Sequence, residues 1–215
     1  MLRTIRFAFA ILAVSACTAQ AGTITVDNNT CTLSQAIAAS NAANGVNPAA
    51  IGSATTSTGS CTGADADPAI NTIVFGAGAA TTQAFTAADN YWYGPNALPP
   101  IASDITIDGG TTGVTLTASG AFRFFYISGG LAGELPAGTL VLSNLTLSGG
   151  VAKGGDGGAG GGGAGMGGAI FNQGTLTLSA FTLTSNTPRG GKGCSNGACG
   201  GGVGEGATNA GGVCF

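Results

Sequence analysis

The sequence contains no histidine, one tryptophan and two methionines, and only 7% of its 215 residues are charged. Globular domains usually carry about 25% charged residues, so this surface must be clothed in Ser, Thr, Asn and Gly. Without histidine there is no Ser-His nucleophile pair and no imidazole ligand for a metal. The six Lys and Arg residues include Arg3 and Arg6 near the start, and the remaining four are outnumbered by nine Asp and Glu. A mildly acidic chain of this kind builds no basic groove for nucleic acid, whose affinity rests on many phosphate contacts. It also has no polybasic patch for an anionic membrane.

Long apolar runs are equally scarce. The one candidate is Phe7 to Ala16, flanked by Arg3 and Arg6 and followed by Ala19-Gln20-Ala21. Ten apolar residues are too few to span a bilayer, which takes about 20. A basic start, a short apolar stretch and an A-x-A site read as a signal peptide over 1–21, cut after Ala21. Val14-Ser15-Ala16-Cys17 is the alternative: it resembles a lipobox that would anchor the protein through a lipidated Cys17. Either way the expectation is export, with no transmembrane segment in the mature chain.

Export permits disulfides. Cys31 and Cys61 are the natural first pair. They close a 30-residue loop, worth roughly 3–4 kcal/mol on the chain-entropy model. Cys194 and Cys199 form a plausible second pair, and Cys214 is left without a partner. A zinc site would find only three thiolates at Cys194, Cys199 and Cys214, and no cofactor is expected.

What the sequence has in abundance is glycine, 41 residues, most of them from Gly149 onward. Between the glycines lie short segments of alternating apolar and polar residues, the period of a strand with one buried face. Gly22 to Asp27, Asn71 to Phe75, Asp104 to Asp108, Val114 to Thr117 and Phe122 to Ile127 all fit. Cys31 to Ala43 instead places Leu33, Ala36, Ile37 and Ser40 on one helical face, with Thr30 or Thr32 as cap and Asn44-Gly45 as stop. Residues 139–155 and 175–191 repeat one another at an offset of 36, sharing Thr-Leu-x-Leu-Ser, Thr-Leu and Gly-Gly.

Strand repeats with no helix between them point to stacked coils. The expected fold is all-β: a right-handed parallel β-helix over 101–215, its coils interrupted by glycine-rich insertions and the chain stopping inside its repeats. A cap segment with one short helix precedes it over 22–100. Leu140, Leu142, Leu176 and Leu178 should point inward, and the glycine runs at 151–166 and 189–213 should be mobile. An antiparallel sandwich or barrel is the competing fold.

Two motifs carry a family resemblance. Gly167-Gly168-Ala169-Ile170-Phe171-Asn172, with Leu183-Thr184-Ser185-Asn186 after it, resembles the GGAI and FxxN repeats of polymorphic outer-membrane proteins and related bacterial β-helix proteins. In the second motif Leu183 stands where that family has Phe. Cys31-Thr32-Leu33-Ser34-Gln35-Ala36-Ile37 resembles the CSLREA motif of secreted β-helix proteins, with Ser34 and Gln35 in place of its Arg and Glu. The resemblance implies a β-helix displayed outside the cell or at the outer membrane, often as an adhesin or autotransporter passenger.

No catalytic set emerges from the residues. Asp104 and Asp108 share a strand face but stand about 13 Å apart along it, beyond the usual reach of paired carboxylates in glycoside hydrolysis. Asp65 and Asp67 read as turn formers, with a calcium site as the sharper reading. Arg189 and Lys192 lack an acidic cluster that would make a lyase site. Tyr91-Trp92-Tyr93 reads either as a plug over the end of the core or as a platform for a sugar ring. The expected role is therefore non-enzymatic: adhesin-like or structural binding of an extracellular ligand, a glycan or another cell's surface. The alternative is a polysaccharide lyase or hydrolase whose active site lies elsewhere.

Overall fold

The computed structural model describes residues 22–65, 70–131, 135–157 and 162–192. Strand β1 (Thr23–Val26) is followed by helix α1 (Leu33–Ala43), β2 (Asn71–Phe75), β3 (Thr82–Phe85), β4 (Asp104–Asp108) and β5 (Val114–Ala118). Then come β6 (Phe125–Ile127), β7 (Gly129–Leu131), β8 (Leu135–Ala137), β9 (Thr139–Ser148), β10 (Val151–Lys153), β11 (Ile170–Asn172), β12 (Thr175–Thr184) and β13 (Thr187–Arg189). Among the described residues the elements are mostly strands, with one helix.

Its main sheet is parallel and runs β1-β2-β4-β9-β5-β3, with β12 on the other side of β9. Parallel pairing sets aside the antiparallel sandwich; among the described residues the antiparallel pairings are the small β7–β8 hairpin and the isolated Asn90–Asn96 bridge. The sheet curls because β9 turns a corner. Residues Thr139 to Ser143 pair with β4, and Leu145 to Ser148 pair with β5. Between them Asn144 adopts φ 55°, a left-handed conformation that Asn tolerates better than most residues. Ala180 does the same in β12, with φ 47°. A separate parallel pair, β6 with β11, repeats the stacking beyond the corner.

The 36-residue repeat is the stacking register itself. Thr139 pairs with Thr175, Leu140 with Leu176, and so on to Ser148 with Thr184. Lys153 pairs with Arg189 at the same offset. Apolar residues consequently stack in ladders, such as Ile24, Ile73, Ile107, Leu142 and Leu178. Burying one such side chain completely is worth about 1.5–3 kcal/mol.

One end of the stack is covered. Helix α1 lays Leu33, Ala36 and Ile37 into the core beside Ile24 and Val26. It begins in a reciprocal cap: the Gln35 amide N–H donates to Thr32 Oγ1 and the Thr32 amide donates to Gln35 Oε1 (3.3 and 2.9 Å), two otherwise orphaned donors satisfied together. Cys31 and Cys61 are disulfide-bonded, with Cα atoms 4.9 Å apart. The polar seam between α1 and the sheet is fully bonded through Ser40, Asn41, Asn71 and Ser103.

Two expectations need correction. Leu140 and Leu142 are fully buried, but Leu176 is half-buried and Leu178 is 44% exposed. Both stand on the same ladder as their β9 counterparts, and β12 has no further strand against it among the described residues. Nor are the described glycine-run residues free loops. Gly154 donates to Arg189, Gly163 to Gly155, and Gly191 to Gly163. The chains pass so closely that a Cβ on Gly154, Gly162, Gly165 or Gly191 would run into a neighbouring backbone carbonyl. Glycine here permits close backbone approach rather than loop freedom.

Candidate functional site

The most developed surface feature lies on the outer flank of β6 and β11. Alternation along these strands sends Phe125 and Ile127 inward and Tyr126 outward, and register places Tyr126 beside Phe171. The loop carrying Tyr91, Trp92 and Tyr93 folds onto this pair. Its base is the Asn90–Asn96 bridge, held by two buried amides. Asn90 Nδ2 donates to the Leu98 carbonyl, and Asn96 Nδ2 faces Asn90 Oδ1, the Trp92 carbonyl and the Gly94 carbonyl.

Trp92 stacks on Tyr126, centroids 6.1 Å apart, and donates its indole N–H to the Ile51 carbonyl. Tyr93 packs on Phe171 at 5.1 Å and on Tyr126 at 5.6 Å. These two rings thus sit on the flank, in a second apolar cluster with Val46, Ile51, Ala102 and Leu135, and not across the end of the main core. Tyr91 points away, 58% exposed.

Beneath the cluster lies Arg123, only 2% exposed. Its Nη2 donates to the Tyr93 carbonyl, and its guanidinium sits 5.1 Å from the Phe171 ring centre. Nε and Nη1 have no hydrogen-bond partner. Burial pushes its pKa down to about 10. Burial likewise raises Tyr126 to about 12, so its hydroxyl stays protonated and donates to Gln173 Oε1 at 2.9 Å. Tyr93, Tyr126, Gly129, Gly130, Leu131 and Gln173 line a hollow beside it. The hollow offers aromatic faces, a primary amide and backbone groups. That combination can hold a polyhydroxylated ring by stacking and hydrogen bonds, but it presents no nucleophile.

The motif residues serve the stack. Gly167 takes φ 63°. The Ala169 carbonyl accepts from Phe124 and Phe125. Ile170 packs against the core, and Asn172 is exposed. Asn186 secures the turn after β12: it accepts from the Gly150 amide and donates to the Leu147 carbonyl, both at 2.8 Å.

Several acidic side chains are held locally. Asp108 accepts from Asn144 Nδ2 at 2.8 Å and from the Gly110 amide at 3.0 Å, and the Asn144 bond is the main cause of its lowered pKa. Sequence reasoning passed over Asp27, whose carboxylate accepts from Thr30 Oγ1 and three backbone amides before α1. These bonds, Thr30 first, hold it far below the ordinary range; Asp followed by Asn-Asn-Thr was the available signal. Asp156 pairs with Lys153 at 3.1 Å and accepts from the Lys192 amide, whereas Arg189 is exposed in β13. The Asp65 amide donates to Asn71 Oδ1. Among the described residues no three His, Cys, Asp or Glu gather as metal ligands, and no helix is long and apolar enough to cross a membrane. Residues 1–21 with Cys17, and Asp67, Cys194, Cys199 and Cys214, lie outside the described residues. Comparison with family models, curated proteins and solved structures returned no match to this chain.

Proposed function

We propose that this is an exported right-handed parallel β-helix of the polymorphic outer-membrane protein type, displayed at the cell surface or secreted, which binds an extracellular glycan without transforming it. The stacked parallel strands and the 36-residue register support the coil architecture. The observation that carries the binding role is the aromatic flank: a hollow bearing Tyr93, Tyr126 and Gln173, with an exposed Tyr91 on the loop that supplies Tyr93. Aromatic faces with amide groups suit neutral sugars, and the under-bonded Arg123 beneath them adds a positive field that favours acidic ones.

Glycan-array binding by the purified chain tests the reading. Tyr91→Ala and Gln173→Ala should each weaken binding by roughly tenfold, ~1.4 kcal/mol, without lowering the melting temperature. Binding that survives both changes removes the flank from the argument. Reproducible turnover of pectin, alginate or a similar polymer would replace the binding role with the enzymatic one.

A further inference from the structure

Strand β9 is paired along both sides, by β4 and β5 on one and β12 on the other. Among the described residues β12 is paired on one side only. Its second edge is ten residues long and contains no charged residue or proline, the features that ordinarily guard an edge against pairing. Leu176, Leu178, Phe181 and Leu183 continue the ladders of Leu140, Leu142, Leu145 and Leu147. The β9 residues are 0–2% exposed, yet Leu178 and Leu183 are 44% and 54% exposed. With Ile170 and Asn186 they line an apolar hollow at this end of the stack.

We infer that this surface is an interface between two copies of this chain, joined tail to tail through antiparallel pairing of their β12 strands. Two observations select a second copy. First, the opposite end of the stack is covered by α1 and the Cys31–Cys61 loop, and Gly63 lies against the Thr23 carbonyl of β1. A head-to-tail contact would find there only the four-residue edge of β3 beside the covered β1, whereas an isologous contact uses the same ten-residue patch twice. Second, the apolar pattern of β12 is palindromic. Thr175-Leu-Thr-Leu-Ser179 is mirrored by Ala180-Phe-Thr-Leu-Thr184.

Antiparallel pairing centred between Ser179 and Ala180 sets Leu176 opposite the partner's Leu183 and Leu178 opposite the partner's Phe181. Thr177 then faces the partner's Thr182. The corner at Ala180 falls at that centre, so a two-fold axis through it exchanges the two arms of the bent strand. The interface continues the Leu-on-Leu packing that already joins β9 to β12.

Sedimentation velocity of the purified chain should give the mass of two copies, and Leu178→Lys with Leu183→Lys should give the mass of one while keeping the melting temperature of a folded stack. With Cys194, Cys199 and Cys214 changed to Ser, Thr177→Cys/Thr182→Cys should form a disulfide-linked dimer on mild oxidation. Thr175→Cys/Thr182→Cys, which the pairing does not juxtapose, should stay unlinked. A single-chain mass across a hundredfold range of concentration overturns the proposal and leaves residues 193–215 or another partner as the occupant. A ladder of higher masses, or equal cross-linking of both cysteine pairs, overturns it as well.

Discussion

Replacing Gly165 by Ala tests whether the glycine runs are packed or loose. A methyl built there would run into the carbonyl oxygens of Arg189 and Ala152, and would lie 2.8 Å from the Arg189 carbonyl carbon. All of these are backbone atoms, and both carbonyls belong to residues of paired strands, β10 and β13. The obstruction cannot rotate away as a side chain would. Overpacking of this kind costs about 1–3 kcal/mol. At roughly 2–4 °C per kcal/mol for a chain of this size, the melting temperature should fall by about 2–12 °C. Gly78 is the control, since nothing lies within 4 Å of a Cβ placed on it. There Gly→Ala acts chiefly by restricting the unfolded chain and should stabilise by about 0.4–1 kcal/mol. Calorimetric melts of the two variants beside the parent decide the matter. If Gly165→Ala melts at or above the parent, the close approach is not part of the folded state and the segment is the loop its composition suggested.

Leu142→Ala should destabilise by about 2–5 kcal/mol in urea titrations, because the side chain is fully buried; Leu178→Ala, on the same ladder but 44% exposed, should cost clearly less in dilute solution. Asn144→Gly keeps the left-handed corner and removes the bond to Asp108, so the Asp108 carboxyl should titrate closer to its ordinary range by NMR. Because the folded-state value is depressed, this bond contributes stability above the ordinary carboxylate pKa and loses it as pH falls through the folded value; the variant should show less of that acid dependence. Cys31→Ser/Cys61→Ser opens a 30-residue loop and should lower stability by roughly 3–4 kcal/mol, measured against the parent with and without reductant.

Where the pattern repeats, the sequence was a good guide. Asn71–Phe75 and Asp104–Asp108 were readable to the residue, and the Thr-Leu-x-Leu-Ser repeat carried the pairing register between β9 and β12. Alternation reports burial on one face, and a repeat reports what lies above and below. Strand β3 escaped because its Thr-Gln-Ala-Phe segment is only lightly buried and owes its conformation to pairing with β5. The corners escaped because Asn144 and Ala180 sit in the middle of runs that read as single strands. The place of Trp92 and Tyr93 was hidden for a different reason: Tyr126 and Phe171, which receive them, lie 33 and 78 residues after Tyr93 in sequence, yet their ring centres are 5.6 and 5.1 Å from it. Glycine runs misled most, since composition alone does not separate freedom from close approach.

The low charge of the chain follows from the same stacking that produces its repeats. In a parallel in-register stack, each outward position lies about 4.8 Å from its counterpart in the next strand. A charge placed at a repeating outward position would therefore face a like charge, and like charges directly opposite one another are destabilising. The main sheet obeys this constraint, although in the β10–β13 pair Lys153 stands beside Arg189. Asp104 stands beside Thr139 and Asp108 beside Ser143; Thr139 and Ser143 in turn stand beside Thr175 and Ser179. Neither carboxylate meets another along its ladder, and Thr and Ser fill the column without net repulsion. Hydroxyl ladders solvate the flanks well, but they leave nothing to guard the outermost described strand of the sheet. Strand β12 inherits the uncharged pattern of β9 and, with it, an edge that accepts another strand of the same kind.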